Sequence, residues 1–307
     1  MSAYNMIDVV ITSYNEPKTT LRAVETFLRQ SSRKDLRVTV VDPFPEVETF
    51  LRQHVSDERF NFYPDPGEGK SYALNLLFQE LKSENSDGIF ILTDGDVFVS
   101  DNAVKAIVAA FEDKKVGCVT GRPVSIDNRS TKYGYWAHLF FSGIDRARRY
   151  YSANNLFFEC SGYLFAIRKN VITDFPLNTS EDSIIPYLFW KKGFKIIYAP
   201  DAEVFVKNPT SWKDWLAQKV RNVKAHENLN NIAPDMPRTK SFVNEMKWGA
   251  WFALTFPRNL QEIWWTMQAF GARLYLYCKS FTELKRQKSY QDGWRGEHTT
   301  ESTKLLD

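Results

Sequence analysis

Short apolar runs alternate with segments of helical periodicity along the first hundred residues. The runs at 7–12 and 38–42 are rich in β-branched residues, as expected of strands buried on both faces of a parallel sheet. Between them Leu21, Val24 and Leu28 recur at the spacing of one helix face. This alternation predicts βαβ units, and therefore an α/β fold with a mostly parallel sheet flanked by helices.

The same reading continues along the chain. Further strands are predicted at 59–63, 89–94, 116–121, 160–167 and 195–198. Further helices are predicted at 46–54, from about 71 to 81, at 102–111, at 130–156 lying over the sheet, at 184–190, and after Ser211.

One predicted strand, 89–94, leads directly into two carboxylates, Asp94 and Asp96. The ends of parallel strands meet at one edge, where Thr12, Tyr14 and Asp42 are also expected. Two adjacent carboxylates are costly to hold together unless a cation or the hydrogen-bond donors of a substrate share them. Magnesium is usually held by one or two carboxylates plus substrate phosphates, so the pair predicts a metal that arrives with a nucleotide. The alternative is an ordinary acidic turn.

Composition indicates a globular chain from a reducing compartment. Of 307 residues, 43% are hydrophobic and 15% aromatic, which supports a sizeable core. Three cysteines without C-x-x-C spacing suggest neither a disulfide framework nor a zinc cluster. Residues 1–5 lead into the first strand without the pattern of a secretory signal, so a cytoplasmic location is expected.

The charge is unevenly distributed. The net charge is +3, but from Phe205 onward the chain has 16 Lys and Arg against 10 Asp and Glu. This asymmetry favours an anionic partner, either a phosphate-bearing ligand or a membrane surface. Nucleic acid is disfavoured, because acids interrupt the basic residues and no binding motif accompanies them.

The C-terminal region predicts two aromatic-rich amphipathic helices separated by Pro257. The first presents Trp248, Trp251, Phe252 and Thr255 on one face. The apolar face of the second consists of Ile263, Met267, Phe270, Leu274, Tyr277 and Phe281. Charged residues interrupt both, so neither is expected to span a membrane. Two interpretations stay open: the helices pack on the domain, or they lie in the membrane interface, which the aromatic residues favour.

Four short motifs lie in order along the chain, at 12–16 (TSYNE), 94–96 (DGD), 181–183 (EDS) and 218–221 (QKVR). Together they resemble the motifs of the inverting glycosyltransferase family 2, in the branch that includes cellulose, chitin and hyaluronan synthases. The ordered set is far more specific than any single motif, and the resemblance covers about 7–225.

The resemblance implies a GT-A fold, a UDP- or GDP-sugar donor and a Mg²⁺ or Mn²⁺ ion. The residues it assigns to the nucleotide and ribose are Thr12, Tyr14, Glu16, Asp42 and Asp94. Asp96, with Asp94, would hold the metal. Lys70, which follows Gly67 and Gly69, suggests a further contact to the donor, although its spacing does not match a P-loop.

The resemblance also assigns the acceptor side. Asp182 would be the general base, and Gln218 with Arg221 would face the leaving diphosphate or the acceptor. Glu181 is the alternative carboxylate of the acidic pair. Two positions depart from the pattern of the family: Pro43 follows Asp42, where a second acid is usual, and Asn222 follows Arg221, where polymerising members have tryptophan.

Each assignment has a structural alternative. Asp182 precedes a predicted helix and could cap it. Gln218 and Arg221 share a helix face with Asp214 and could form a solvated polar face with an ion pair.

The sequence as a whole predicts a metal-dependent inverting glycosyltransferase at the cytoplasmic face of a membrane, acting on a lipid-linked or glycan acceptor. The rival functions are a nucleotidyltransferase and a catalytically silent, membrane-associated glycan-binding module. The predicted organisation is a catalytic domain at 1–230, amphipathic helices at 231–288 and a polar tail at 289–307.

Overall fold

The structure is a computed structural model that describes residues 6–30, 35–81, 88–237, 239, 249 and 252–285. Its strands are β1 (Ile7–Thr12), β2 (Leu36–Asp42), β3 (Phe60–Pro64), β4 (Ile89–Asp94), β5 (Phe98–Val99), β6 (Val116–Ser125), β7 (Leu164–Arg168) and β8 (Lys195–Val206). Its helices are α1 (Pro17–Leu28), α2 (Pro45–His54), α3 (Lys70–Glu80), α4 (Ala103–Ala110), α5 (Lys132–Ala153), α6 (Glu181–Lys191), α7 (Trp212–Ile232) and α8 (Leu260–Lys285).

The strands of the described residues form one sheet in the order β3-β2-β1-β4-β7-β6-β8-β5. β1 pairs in parallel with β2 and β4, and β2 pairs in parallel with β3. β7 runs antiparallel to both of its neighbours, β4 and β6, while β6 and β8 are parallel. The predicted α/β class is therefore confirmed, with a parallel half and a mixed half joined at β7.

Two apolar layers enclose the sheet. One contains Val24 and Phe27 of α1, which pack with Val9 and Ile11 of β1. The other contains Leu74 of α3 with residues of β4, β7 and α6. All six residues of β1 are buried, as the uninterrupted apolar run predicts for a central strand. The core thus holds the ends of β1, β2 and β4 at one edge.

The predicted strand at 160–167 is shorter than expected, because it begins at Leu164. The residues before it use other hydrogen-bond partners instead of the sheet ladder. The N–H of Ser161 donates to Thr120 Oγ1 at 2.9 Å, and the N–H of Cys160 donates to the carbonyl of Asp182 at 2.9 Å. The segment therefore packs against the start of α6 rather than extending β7.

α8 packs against α5 and α7 through a narrow face of small and polar residues. Arg129 donates to both carboxylate oxygens of Glu262 at 2.9 Å, and the Tyr135 hydroxyl lies 2.6 Å from that of Thr266. Ala269 and Leu276 continue this buried face. The predicted second amphipathic helix is therefore present, and it is docked on the preceding part of the chain.

The opposite face of α8 leaves large apolar side chains exposed. It consists of Leu260, Ile263, Trp264, Met267, Phe270, Leu274 and Tyr275, of which Trp264 is 56% and Met267 54% exposed. We call these residues the exposed face of α8. No helix of the described residues has the length and apolar content needed to cross a bilayer. Of the first predicted amphipathic helix, Trp248 and Trp251 lie outside the described residues, as does the predicted tail at 289–307.

Candidate active site

The ends of β1 and β4 lie side by side, with Thr12 paired to Asp94 in register. The Thr12 hydroxyl lies 3.2 Å from Asp94 Oδ1 and 3.2 Å from the carbonyl of Thr93. Gly95 follows in the turn, and a Cβ there would lie 2.9 Å from Thr20 Oγ1 and 3.0 Å from Ser13 Cβ. Because only glycine allows this close approach, the two carboxylates of the D-G-D motif are held at the end of β1.

Asp42, at the end of β2, is buried and receives two backbone hydrogen bonds. The N–H of Asn15 donates to Oδ2 at 3.0 Å, and the N–H of Phe44 donates to Oδ1 at 2.9 Å. Burial raises the pKa of Asp42 above its usual value, while these N–H groups and the Ser13 hydroxyl oppose that shift. Asp42 therefore joins the loops after β1 and β2, at the edge where the sequence predicts a nucleotide.

The two other predicted nucleotide contacts lie on the loop after β1. The ring of Tyr14 packs edge-on against Phe44, with the ring centroids 5.0 Å apart. Glu16 occupies the N-cap position of α1, and its side chain makes no capping hydrogen bond. Tyr14 and Glu16 therefore flank Asn15, whose N–H donates to Asp42, and their roles at the nucleotide stay a prediction.

Lys70 connects the carboxylate of Asp94, at the end of β4, to the acidic pair at the start of α6. Its Nζ donates to Asp94 Oδ1 at 2.7 Å and lies 2.5 Å from Glu181 Oε1. The lysine is the first residue of α3 and follows Gly69, whose φ of 107° is a conformation that favours glycine. The contact brings together residues 24 and 111 positions apart in the chain, so β4, α3 and α6 converge at one ammonium group.

The electrostatics of this contact favour a charged lysine. Burial by itself would lower the pKa of Lys70, but Asp94 and Glu181 outweigh it and raise that pKa. Burial raises the pKa of Glu181, and Asp182 and Asp94 raise it further, whereas Lys70 opposes the shift. One lysine thus lies against two carboxylates, and a third, Asp182, adds negative charge beside Glu181.

Asp182 is the second residue of α6, and the alternative that it caps the helix is wrong. The cap position belongs to Ser180. The Ser180 hydroxyl donates to Asp182 Oδ1, and the Ser183 hydroxyl lies 3.4 Å from the same oxygen. A Cβ on Gly162 would lie 3.8 Å from Asp182 Oδ2, so the carboxylate has little side-chain bulk against it on that side.

Gln218 and Arg221 lie on α7, which begins after Ser211 as predicted. The Ser211 hydroxyl accepts a hydrogen bond from the N–H of Asp214 and donates to its side chain at 2.8 Å. Gln218 Oε1 is buried and has no hydrogen-bond partner among the described residues. Arg221 is exposed and forms no ion pair within the described part of the chain. The predicted alternative, an ion pair with Asp214, is therefore not observed there.

The carboxylates of the site fit a hard divalent cation whose remaining ligands come from the phosphates of a substrate. In the described residues no three His, Cys, Asp or Glu side chains form a metal-binding group by themselves. Magnesium and manganese are suited to carboxylate oxygens, and one or two of these with substrate phosphates are usual for magnesium. Asp96, half-buried in the turn after β4, and Asp94 are the residues that would hold such an ion.

Sequence reasoning missed two buried acids near the site. Asp65 lies just after β3, and its N–H donates to the carbonyl of Asp42 at 3.2 Å. Its position after a parallel strand, at the same edge as Asp42, was a usable signal. Glu159 accepts a hydrogen bond from Ser183 at 2.5 Å. No local pattern indicates Glu159, because it lies between the predicted helix at 130–156 and the predicted strand at 160–167.

Comparisons with known proteins identify the family of this chain. The sequence model described as "Glycosyltransferase like family 2" matches residues 5–225. An N-acetylglucosaminyltransferase of Azorhizobium caulinodans is 26% identical over 241 residues, which cover 70% of this chain and 58% of that protein. A probable glycosyltransferase of Bacillus subtilis, YdaM, is 23% identical over 245 residues, covering 72% of this chain and 55% of its own. The chain thus spans little more than half the length of these relatives.

A solved structure, described as GalNAc-T7 with UDP, GalNAc and Mn²⁺, has a TM-score of 0.49 and 16% sequence identity to this chain. The matched region covers 84% of this chain and 59% of the chain in that structure. The family match includes all four motifs, and the mixed α/β sheet with carboxylates at its strand ends is the GT-A type of fold that the resemblance implies. The match covers most of the chain, and the protein therefore belongs to glycosyltransferase family 2.

Proposed function

We propose that this protein transfers a sugar from a UDP- or GDP-sugar to a hydroxyl group of a glycan or lipid-linked acceptor, with inversion at the anomeric carbon. The observation that carries the proposal is the convergence on Lys70 of Asp94, from the donor edge, and Glu181, from the acidic pair. This convergence supports a single site in which Asp94 contributes to the metal and Asp182, next to Glu181, is the base.

In this reaction Asp182 removes the proton from the acceptor hydroxyl as its oxygen attacks the anomeric carbon. The bond from that carbon to the diphosphate breaks on the opposite face, and the nucleoside diphosphate leaves. Arg221 faces the departing negative charge, while the buried Gln218 Oε1 offers an acceptor for a sugar hydroxyl. A divalent ion at Asp96 and Asp94 would neutralise charge on the diphosphate.

On the donor side, Thr12, Tyr14, Glu16, Asp42 and Lys70 border the nucleotide. The backbone hydrogen bonds to Asp42 support this assignment, because they hold its carboxylate in one place between two loops. The loops after β1 and β2 then form the walls of the nucleotide crevice.

We also propose that the protein acts at the cytoplasmic face of a membrane, with the exposed face of α8 in the lipid interface. Its apolar side chains are large and include Trp264 and Tyr275, residue types that favour the headgroup region. The helix is anchored to α5 by its buried face, so insertion of the other face would bring the site close to a lipid-linked acceptor.

Product analysis tests the proposed reaction. Incubation with UDP- and GDP-sugars and Mn²⁺ or Mg²⁺ should release nucleoside diphosphate, whereas a nucleotidyltransferase acting on a sugar phosphate would release pyrophosphate. A glycan-binding module would release neither. Release of pyrophosphate, or no turnover of any donor in the presence of membranes and glycan acceptors, would refute the proposal.

The base is tested by Asp182→Asn, with Asp174→Asn as control because Asp174 is an exposed acid of the preceding loop. General-base catalysis contributes about 10²- to 10⁴-fold, so the rate of transfer should fall by that factor while the affinity for nucleoside diphosphate stays within a few-fold. A variant that keeps more than about a tenth of the wild-type rate would remove Asp182 from this role.

A further inference from the structure

A second acidic residue lies behind the candidate base, outside the four motifs. Glu159 is 3% exposed, and its carboxylate accepts two hydroxyl hydrogen bonds. Ser183 Oγ donates to Oε2 at 2.5 Å, and Thr239 Oγ1 donates to Oε1 at 3.0 Å. Ser183 directly follows Asp182, so Glu159 holds the first turn of α6 from its buried side.

The backbone beside Glu159 holds the same turn at a second point. The N–H of Cys160 donates to the carbonyl of Asp182 at 2.9 Å. The carbonyls of Glu159 and Cys160 in turn accept hydrogen bonds from Arg148 Nη2 of α5, at 3.3 Å and 2.9 Å. Arg148 is itself buried. The backbone of Glu159 and Cys160 is thus fixed to α5 through Arg148, and the N–H of Cys160 fixes it to Asp182.

These contacts hold two consecutive residues of α6, Asp182 at its own carbonyl and Ser183 at its hydroxyl. A helix end held at two adjacent positions has little freedom to rotate about its axis. The direction of the Asp182 carboxylate depends on that rotation, because it lies on the first turn.

We propose that Glu159 is a positioning residue for Asp182, which acts through Ser183 and through the Cys160 N–H, and that Thr239 links this arrangement to the segment after α7. The inference rests on the proposed function, since it requires Asp182 to be the base. Glu159 does not touch the reacting atoms. Its effect is to keep the Asp182 carboxylate aimed at the acceptor hydroxyl.

The test uses Ser183→Ala, which removes the hydroxyl that donates to Glu159 and lies 3.4 Å from Asp182 Oδ1. Both carboxylates stay in place, and Glu159→Gln separates the contribution of Glu159 from that of the direct contact between Ser183 and Asp182. A displacement of a catalytic group by about 1 Å can cost about 100-fold in rate, so kcat should fall about 10- to 100-fold. The KM for the donor and the affinity for nucleoside diphosphate should stay within two-fold, because the donor edge is untouched. Thr179→Val is the matched control: Thr179 is a buried hydroxyl of the same segment that hydrogen-bonds the carbonyl of Pro176 instead.

Two further variants keep the test decisive if the loss of a buried hydroxyl destabilises α6. Glu159→Gln and Thr239→Val weaken the same contact from the other end and should lower kcat in the same direction by smaller factors. In an Asp182→Asn background, Ser183→Ala should cause no further loss beyond about two-fold, since the group that it positions is gone.

The outcomes separate the two proposals. If Asp182→Asn leaves transfer unchanged, the assignment of the base fails and this inference fails with it. If Asp182→Asn is inactive but Ser183→Ala matches Thr179→Val in kcat, only the role of Glu159 is refuted. Additive losses in the double variant would also refute it, because they would show that Ser183 acts independently of Asp182.

Discussion

Lys70→Met would remove the one ammonium group that lies between Asp94 and Glu181. Removing one partner of a buried ion pair costs about 3–5 kcal/mol, because the remaining charge stays buried without compensation. The side chain of Asp94 is 31% exposed and that of Glu181 is 12% exposed. Water therefore solvates these carboxylates in part and reduces the cost of removing the lysine. We therefore expect the free energy of unfolding to fall by about 3 kcal/mol at pH 7.5.

The loss should depend on pH in a defined direction. In the variant Glu181 no longer has the lysine that opposes its raised pKa, so this pKa moves further above its ordinary value of 4.5. A carboxyl group whose pKa is raised by folding destabilises the protein above its unfolded pKa, and the penalty disappears as the pH falls and the group is protonated. The raised pKa of Lys70 keeps its stabilising charge present in the wild type throughout this range. The difference between variant and wild type should therefore shrink from pH 8 to pH 5.

Thermal unfolding measured between pH 5 and pH 8 tests this reasoning. In domains of 150 to 250 residues, a change of 1 kcal/mol in the free energy of unfolding shifts Tm by about 2–4 °C. This larger chain should lie at the low end of that range. A loss of about 3 kcal/mol at pH 7.5 should therefore lower Tm by about 6 °C. Lys105→Met, at an exposed lysine of α4, is the control and should change Tm little. A loss equal at every pH, or no loss relative to the control, would show that Lys70 does not compensate the buried acids.

Three further predictions concern the metal, the turn and α8. Asp96→Asn should abolish the metal-dependent rise in Tm that nucleoside diphosphate causes, and Asp101→Asn, at an exposed acid, is the control. If the rise in Tm persists in Asp96→Asn and a chelator still removes it, Asp96 is not a metal ligand. Gly95→Ala should lower the free energy of unfolding in urea by about 1–3 kcal/mol, because its Cβ would lie 2.9 Å from Thr20 Oγ1; an unchanged midpoint would contradict the close approach. Replacing both Trp264 and Met267 by Ser should reduce sedimentation with anionic liposomes and leave Tm nearly unchanged, since both side chains are more than half exposed. Equal sedimentation of the variant and the wild type would argue against this face as the lipid contact.

The sequence by itself determined the elements of the parallel half of the sheet and the edge that carries the site. Strand β1 has the predicted bounds, and β2, β3 and β4 lie within two residues of theirs. The reason is physical: a buried parallel strand requires a continuous apolar run, and the ends of parallel strands meet at one edge whatever the loops do. The assignment of Thr12, Asp42 and Asp94 to one crevice follows from that geometry alone.

The order of the motifs also indicated the family, because four short patterns in one sequence are far more specific than one. The roles of Glu16, Gln218 and Arg221 remain predictions, since each depends on a bound donor or acceptor. The sequence also left open whether α8 packs on the domain. The spacing of the apolar residues in α8 predicted an apolar face, and that face is the exposed one. The face that packs on the domain carries Glu262, Thr266 and small residues.

Only the tertiary structure decided which charged groups meet. Lys70 and Glu181 are 111 residues apart, and their contact depends on how α3 and α6 pack side by side on the same face of β4 and β7. The same holds for Glu159, which directly precedes the predicted strand at 160–167 and accepts a hydrogen bond from Ser183 in the first turn of α6. Periodicity reports which face of an element is buried, but a hydrogen bond between side chains also requires the relative position of two elements to within about 1 Å. That position is set by the packing of the whole core, so the connection between the donor edge and the candidate base becomes visible only in three dimensions.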